Sequence, residues 1–359
     1  MMREKPEKEN SFDRRVFLGT GVALTMAAVG RTKAAEPASA AENSQEAGYQ
    51  LPYNPRTHKA MPTRNLGNTG YQVAIFSLGG QATLEIPGKA GESAAIVNRA
   101  IDLGVNYIDT AAGYGDGTSE THIGQVLKTR RREVFLTSKT ADRSYDGSMR
   151  LLERTLKNLQ TQHLDLWQLH NVQTQDQVDK IFAKGGAIEA LEKARSEGTV
   201  RFLGITGHFE PLVLVNAIKR YRFDTILMAL NAADTHYLSF IKYLLPEAQN
   251  LGMGIIGMKV ATRGRVLSTW EPPPIEQQPE RLRTKLKGTL TMKEALSYNM
   301  SLPVSTTIVG VDNVEQLEQN VKCASEFSPL SEDQMRELEY RMLPIVRQAL
   351  YFRRWDLGA

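Results

Sequence analysis

Asp109, Tyr114, Lys139 and His170 are side chains of types that together can move a proton. A phenol titrates near ~10, and bringing it toward neutrality by about three units takes about 4 kcal/mol. One ammonium about 4 Å away, at an effective dielectric of about 20, supplies roughly that much. Lys139 is the candidate cation, and Asp109 is the carboxylate that keeps it charged and aimed. Tyr114 then serves as a general acid, or as a base in the reverse direction. His170 can orient and polarise an oxygen. Each type also has an ordinary use: Asp109 can cap a turn, Lys139 can snorkel from a strand end, and His170 can be a satisfied core histidine.

The elements around these residues decide whether they meet. Val105, Tyr107 and Ile108 form a strand that delivers Asp109 at its end, and Gly113 and Gly115 let the chain turn around Tyr114. Thr118 or Ser119 is expected to cap the next helix, whose apolar face is Ile123, Val126 and Leu127. A hairpin is expected over 64–73, turned by Gly67, Asn68 and Gly70. Strands then follow over 75–79, 107–110, 134–139, 164–170, 202–206, 225–231, 254–259 and 306–311. They alternate with helices over 92–103, 119–128, 144–159, 186–197, 211–221, 238–250, 291–299 and 313–322. Eight such units are what a closed (β/α)8 barrel, a TIM barrel, requires. Asp109 and Tyr114 follow the second barrel strand, Lys139 ends the third and His170 the fourth, so all four belong to one rim. The long connection over 260–290 follows the seventh strand and should hang over the same mouth. His122 and His163 read as surface residues, whereas His208, just after the fifth strand, lies closer to the mouth.

The phrase D-T-A-x-x-Y-G-x-x-x-S-E-x-x-I-G-x-x-L, over 109–127, resembles the signature of the aldo-keto reductases, and the resemblance extends over about 61–320. It implies that Asp109, Tyr114, Lys139 and His170 are that family's catalytic tetrad. It also implies NADP or NAD as cofactor, and reversible reduction of an aldehyde or ketone to an alcohol. After the eighth strand, Gly310, Val311, Asp312 and Asn313 lead into a helix N-terminus whose amides can hold a phosphate, with Asp312 or Asn313 as cap. Gln316 and Asn320 fall where the family places cofactor contacts. The chain departs from the family pattern in several places. Gly310 and Gln316 stand where many members carry cations against a 2′-phosphate, and Thr206-Gly207 replaces a Ser-Asn pair. Met228 stands at the position of the glutamine that holds the carboxamide. Met258 replaces an aromatic that stacks on the nicotinamide, and Lys259 follows it where serine is usual. A methionine can cover a ring face through its sulfur; Lys259, and Arg263 or Arg265 from the long loop, can neutralise phosphate. The same scaffold also supports a non-turnover nicotinamide-binding or interaction protein, as in the family's potassium-channel β subunits.

Composition narrows the partners. Of the 359 residues 41% are hydrophobic, enough for one large barrel core. The single cysteine, Cys323, excludes an intramolecular disulfide and a cysteine-ligated iron–sulfur cluster, and it reads as a small buried residue on a helix. No ligand spacing for a metal stands out. Residues 1–40 contain Arg14-Arg15-Val16-Phe17-Leu18, an apolar stretch to Val29, and Ala38-Ser39-Ala40. This resembles a twin-arginine signal peptide, which implies passage through the Tat translocase to the periplasm, or a membrane anchor if it stays uncleaved. Without it Lys/Arg and Asp/Glu number 37 and 35, a balance that argues against a nucleic-acid surface. Arg130-Arg131-Arg132 reads as a solvated loop on the side away from the mouth. The expected organisation is therefore signal over 1–40, linker or arm over 41–60, barrel over 61–323, and a helical tail over 324–359. The aromatic run Tyr351-Phe352-Arg353-Arg354-Trp355 should pack that tail back on the body.

Overall fold

Alternating large apolar residues build the barrel from the inside. In the computed structural model, which describes residues 50–355, a hairpin of β1 (Thr63–Asn65) and β2 (Gln72–Ala74) precedes eight parallel strands. These are β3 (Phe76–Gly79), β4 (Tyr107–Asp109), β5 (Phe135–Thr140), β6 (Leu164–Leu169), β7 (Val200–Gly207), β8 (Thr225–Ala229), β9 (Gly254–Met258) and β10 (Thr306–Val309). β10 pairs with both β9 and β3, which closes the sheet. Tyr107, Phe135, Leu166, Phe202, Leu227, Ile256 and Ile308 come one from each of seven strands and fill the interior. Leu66, Tyr71 and Val73 of the hairpin segment plug it from the N-terminal end. The Phe135 ring lies 4.7 Å from Tyr71, 5.6 Å from Tyr107 and 6.0 Å from Phe202. Each such side chain contributes about 1.5–3 kcal/mol by burial.

Ile108, Leu136 and Leu169 lie between the inward positions and join the second core, under the helices. The period of two therefore fixes which side chains reach the interior at the opposite, C-terminal end. Two positions beyond Tyr107 comes Asp109. Four beyond Phe135 comes Lys139, and two and four beyond Leu166 come Gln168 and His170. Gly67 holds the plug in place. It adopts φ +54, and a Cβ there would lie 2.1 Å from the Gly254 amide nitrogen, so no other residue fits the approach.

Several local expectations need correction. The helix after β4 (Thr118–Arg130) is capped by Gly117 at φ 90, not by Thr118 or Ser119. The Ser119 hydroxyl instead donates to the Gly80 carbonyl at 2.7 Å and pairs with the Thr110 hydroxyl, tying the helix to the rim. A helix over Gln175–Phe182, capped by Thr174, occupies what reads as loop. The helix expected over 238–250 is two pieces, Phe240–Tyr243 and Leu245–Asn250; Pro246, at the start of the second, cannot donate the bond that would join them. The arginine run is not a solvated loop. Arg130 pairs with Asp102 and Glu133, and Arg131 with the fully buried Asp165, all at 2.8 Å. His122 is buried rather than surface-exposed, with Nδ1 placed 3.1 Å from the Ser93 hydroxyl and 3.0 Å from the Leu84 carbonyl. His163 is half-buried, and burial beside Arg131 lowers it to about 4. Cys323 is half-buried on the helix Val314–Ser325.

Among the described residues no helix is long and apolar enough to cross a membrane. The expected signal over 1–40, and the part of the linker over 41–49, lie outside the described residues. Beyond the barrel, the helix Glu332–Met342 leads to a tail in which Trp355 stacks on Tyr237 with ring centroids 3.9 Å apart.

Candidate active site

Lys139 is the centre of the rim. Its ammonium, 1% exposed, donates to Asp109 Oδ1 and, at 2.7 Å, to the Thr110 carbonyl. Asp109 Oδ2 accepts from Gln168 Nε2 at 3.3 Å, and the same amide donates to the Thr137 hydroxyl at 2.9 Å. Burial drives this pair toward neutrality, raising Asp109 and lowering Lys139, and each partner's charge opposes the drift. Glu120, from the same motif as Tyr114, accepts from Ser138 at 2.7 Å and from Thr155 at 2.8 Å. It locks the helix after β4 to the strand that carries Lys139.

Tyr114 sits on the turn after β4, with its ring centroid 5.0 Å from the Lys139 ammonium. The His170 ring meets it edge-on at 5.7 Å between centroids. The phenol is raised well above its ordinary value, by burial first and then by Asp109 and Glu85, with Arg263 opposing. The expectation that Lys139, kept charged and aimed by Asp109, pulls it toward neutrality is corrected: the pairing is present, but the phenol is not lowered. Lys139 is bonded to Asp109, so the phenol faces a neutral pair rather than a lone cation. His170 is held well below its ordinary value by burial and then by Lys139, His208, Arg143 and Lys259, so its imidazole is neutral at physiological pH.

These groups open on a cavity of about 400 Å³ at the C-terminal mouth, lined by Tyr114, Lys139 and His170 together with Thr206, Met258 and Lys259. Its wall also includes Gln81, Asn171, His208 and Leu227, and two residues of the distant tail, Tyr351 and Phe352. A larger, shallower hollow of about 580 Å³ lies at the other end, against the hairpin, and holds none of the four. Leu227, not Met228, faces the interior from β8; Met228 points outward into the helix-side core, so it cannot stand in for a carboxamide-binding glutamine. The Thr206 hydroxyl accepts from the Asn171 amide at 2.9 Å. Asn171 Oδ1 and His208 Nδ1 are buried without a hydrogen-bond partner. Such atoms are costly to leave unmet, and beside a cavity they suit a polar, amide-bearing ligand.

The residues after β10 lie to one side and do not line this cavity. Gly310 abuts the Gln81 carbonyl, where a Cβ would come within 3.0 Å. Val311 is packed in the core and offers only its backbone. Asn313 is the helix cap, accepting from the Gln316 amide at 2.9 Å, while Gln316 Oε1 accepts from the Asp312 amide at 2.9 Å. Asp312 and Gln316 thus satisfy each other at an exposed helix start, and Asn320 is buried further along. Arg265 lies over the rings of Trp270 and Tyr351, at 5.0 and 5.3 Å, which makes it a packing group. Arg263 remains on the cavity wall, 3.8 Å from Glu85.

A closed parallel barrel with buried acid–base groups around one C-terminal cavity defines a (β/α)8-barrel enzyme. Comparison with known proteins narrows the class. The chain belongs to the aldo/keto reductase family, whose model matches residues 78–340, and it is an oxidoreductase. L-galactose dehydrogenase of Arabidopsis thaliana is 29% identical over 309 residues, spanning 79% of this chain and 94% of that protein. A putative voltage-gated potassium channel subunit beta of Schizosaccharomyces pombe is 25% identical over 327 residues, covering 78% and 93%. Among solved structures, the holo form of an aldo-keto reductase from Bacillus halodurans superimposes with a TM-score of 0.64 at 25% identity, over 78% of this chain and 96% of that one. An aldo-keto reductase from Klebsiella pneumoniae in complex with NADPH has the same fold, with a TM-score of 0.60 at 21% identity over 78% and 94%.

Proposed function

We propose that this enzyme reduces the carbonyl group of a small aldehyde or ketone to an alcohol, reversibly, with Tyr114 as proton donor. The reading is carried by the inward placement of Asp109, Lys139 and His170 beside Tyr114 around one cavity. When bound, a reduced nicotinamide supplies the hydride. The chain does the rest. Tyr114 delivers its proton to the oxygen as negative charge develops there. The neutral His170 donates a hydrogen bond to the same oxygen. Asp109 and the Thr110 carbonyl hold the Lys139 ammonium under the phenol ring. Thr206 and Met258 would hold the cofactor from the cavity side, and the helix start at 312–316 would face its phosphate-bearing end.

Cofactor choice is the first test. A cation at a 2′-phosphate is worth roughly 1.5–3 kcal/mol, and Gly310 and Gln316 supply none. NADPH and NADH should therefore bind within about tenfold of each other, about 1.4 kcal/mol, in a fluorescence titration. Gln316→Arg should shift the ratio toward NADPH. A thousandfold wild-type preference for NADPH would mean that another cation, such as Arg263, reaches the phosphate. A carbonyl panel run on the same samples decides the second reading, a nicotinamide-binding protein without turnover. That reading is favoured by the channel-subunit relative and by the raised phenol, and it requires cofactor binding with no carbonyl reduced.

We also propose that the protein is exported through the twin-arginine route, on the strength of the D-R-R-V-F-L motif and the apolar run that follows. Changing Arg14 and Arg15 together to lysine should leave precursor in the cytoplasm, as cell fractionation would show. Normal export of the double variant would point to the general secretory route.

A further inference from the structure

Lys259 is the least settled charge at the mouth. It follows β9 directly, lines the cavity, and adopts a left-handed backbone with φ 62. Thr262 and Arg263 are also left-handed, with φ 47 and 56. Non-glycine residues in that region are strained, and such strain gathers at functional sites. The Lys259 carbonyl accepts from Asn231 Nδ2 at 3.2 Å, but its ammonium has no hydrogen bond or ion pair among the described residues. The carboxylate whose charge reaches it is Glu85, which already accepts from Gln81 and faces Arg263 at 3.8 Å. No aspartate or glutamate lines the cavity. Burial, then Arg263, lowers Lys259 to about 8, so it is still mainly a cation at neutral pH. Lys259 shares the cavity wall with Tyr114, Lys139, His170 and His208, and none of residues 312–316 lines it, so its side chain belongs to the chamber of the acid–base groups.

A partly desolvated cation without a counterion is costly unless a ligand supplies one. We propose that Lys259, with Arg263 beside it, anchors an oxyanion on the substrate, so that the preferred substrates are carbonyl compounds carrying a carboxylate or phosphate a few bonds from the carbonyl. Lys139 cannot do this because Asp109 already neutralises it. The proposal rests on the carbonyl-reduction reading. A bound cofactor also carries phosphate oxyanions, and the test separates the two sources.

The test compares two aldehydes of the same chain length, 4-oxobutanoate and butanal, with the wild type, Lys259→Met and Lys259→Arg. Cofactor Kd is measured in parallel. The wild type should show a kcat/KM for the acid about 10- to 100-fold above that for butanal, the range of one charge-assisted hydrogen bond. Lys259→Met should bring that ratio to about one, and Lys259→Arg should keep most of it. Loss on both substrates in equal proportion, with a raised cofactor Kd, would assign the oxyanion to the cofactor and overturn the proposal. So would a wild type that turns over both aldehydes without preferring the acid, a result independent of whether any variant folds. A wild type that binds cofactor and reduces no carbonyl of any kind would overturn the parent reading along with this one.

Discussion

Tyr114→Phe should reduce carbonyl turnover by about 10²- to 10⁴-fold, the usual contribution of a positioned proton donor. Cofactor affinity should stay nearly unchanged, because only a hydroxyl is removed. The Asp109–Lys139 pair beneath the ring does not depend on that hydroxyl, since its hydrogen bonds run to Thr110 and Gln168. The raised phenol adds a pH signature. A group whose pKa is raised keeps its proton to higher pH, so Tyr114 is loaded for reduction throughout the neutral range and kcat for reduction should be flat there. Alcohol oxidation needs the phenolate and should climb as pH rises into the alkaline range. Steady-state kinetics in both directions, with a fluorescence titration of cofactor, checks both parts. Near-wild-type kcat in the phenylalanine variant would remove Tyr114 from the role. A reduction rate that falls between pH 6 and 8 would mean that another group supplies the proton.

The architecture was legible because the barrel writes its parity into the sequence. Along β4, β5 and β6 the inward positions pass from Tyr107, Phe135 and Leu166 to Asp109, Lys139 and His170 at the C-terminal ends, all in step. Where a strand is apolar on both faces the parity is silent, so Met228 and Leu227 could not be told apart in T-I-L-M-A. His122 was readable: it shares a helix face with Ser119, Ile123 and Val126, all buried. Other features depend on pairs that sequence separation conceals. Arg131 meets Asp165 across 34 positions, and Phe352 comes from 144 positions away to stack on His208 at 5.5 Å. The raised phenol was illegible for a related reason. The strand ends place Asp109 beside Lys139, but they do not give the depth of burial that raises the phenol first.

The aromatic tail shows how far that non-local dependence goes. Arg353, 2% exposed, is ion-paired with the fully buried Asp234 and donates to the His208 carbonyl at 2.7 Å and the Ala229 carbonyl at 3.1 Å. Its guanidinium lies 3.9 Å from the Phe240 ring centroid. Burial lowers it to about 10, opposed first by Asp234. Asp234 in turn accepts from the Ser239 hydroxyl at 2.7 Å and from the Phe240 and Ile241 amides at 3.1 and 2.9 Å. Asp234→Ala leaves a buried cation without its counterion and should cost about 3–5 kcal/mol, read as a lower denaturant midpoint. Adding Arg353→Met removes the stranded charge, so the double variant should recover a large part of the loss even though it has lost more hydrogen bonds. If single and double variants are equally destabilised, the damage comes from the lost bonds to Ser239, Phe240 and Ile241 and not from the ion pair. The site should feel the same change. Loosening Arg353 frees Tyr351 and Phe352, which wall the cavity, so KM should rise in Asp234→Ala at temperatures where the barrel is still folded. An unchanged KM would mean that the tail keeps its place on the stacking of Trp355 against Tyr237 and of Phe352 against His208, without the buried charge pair.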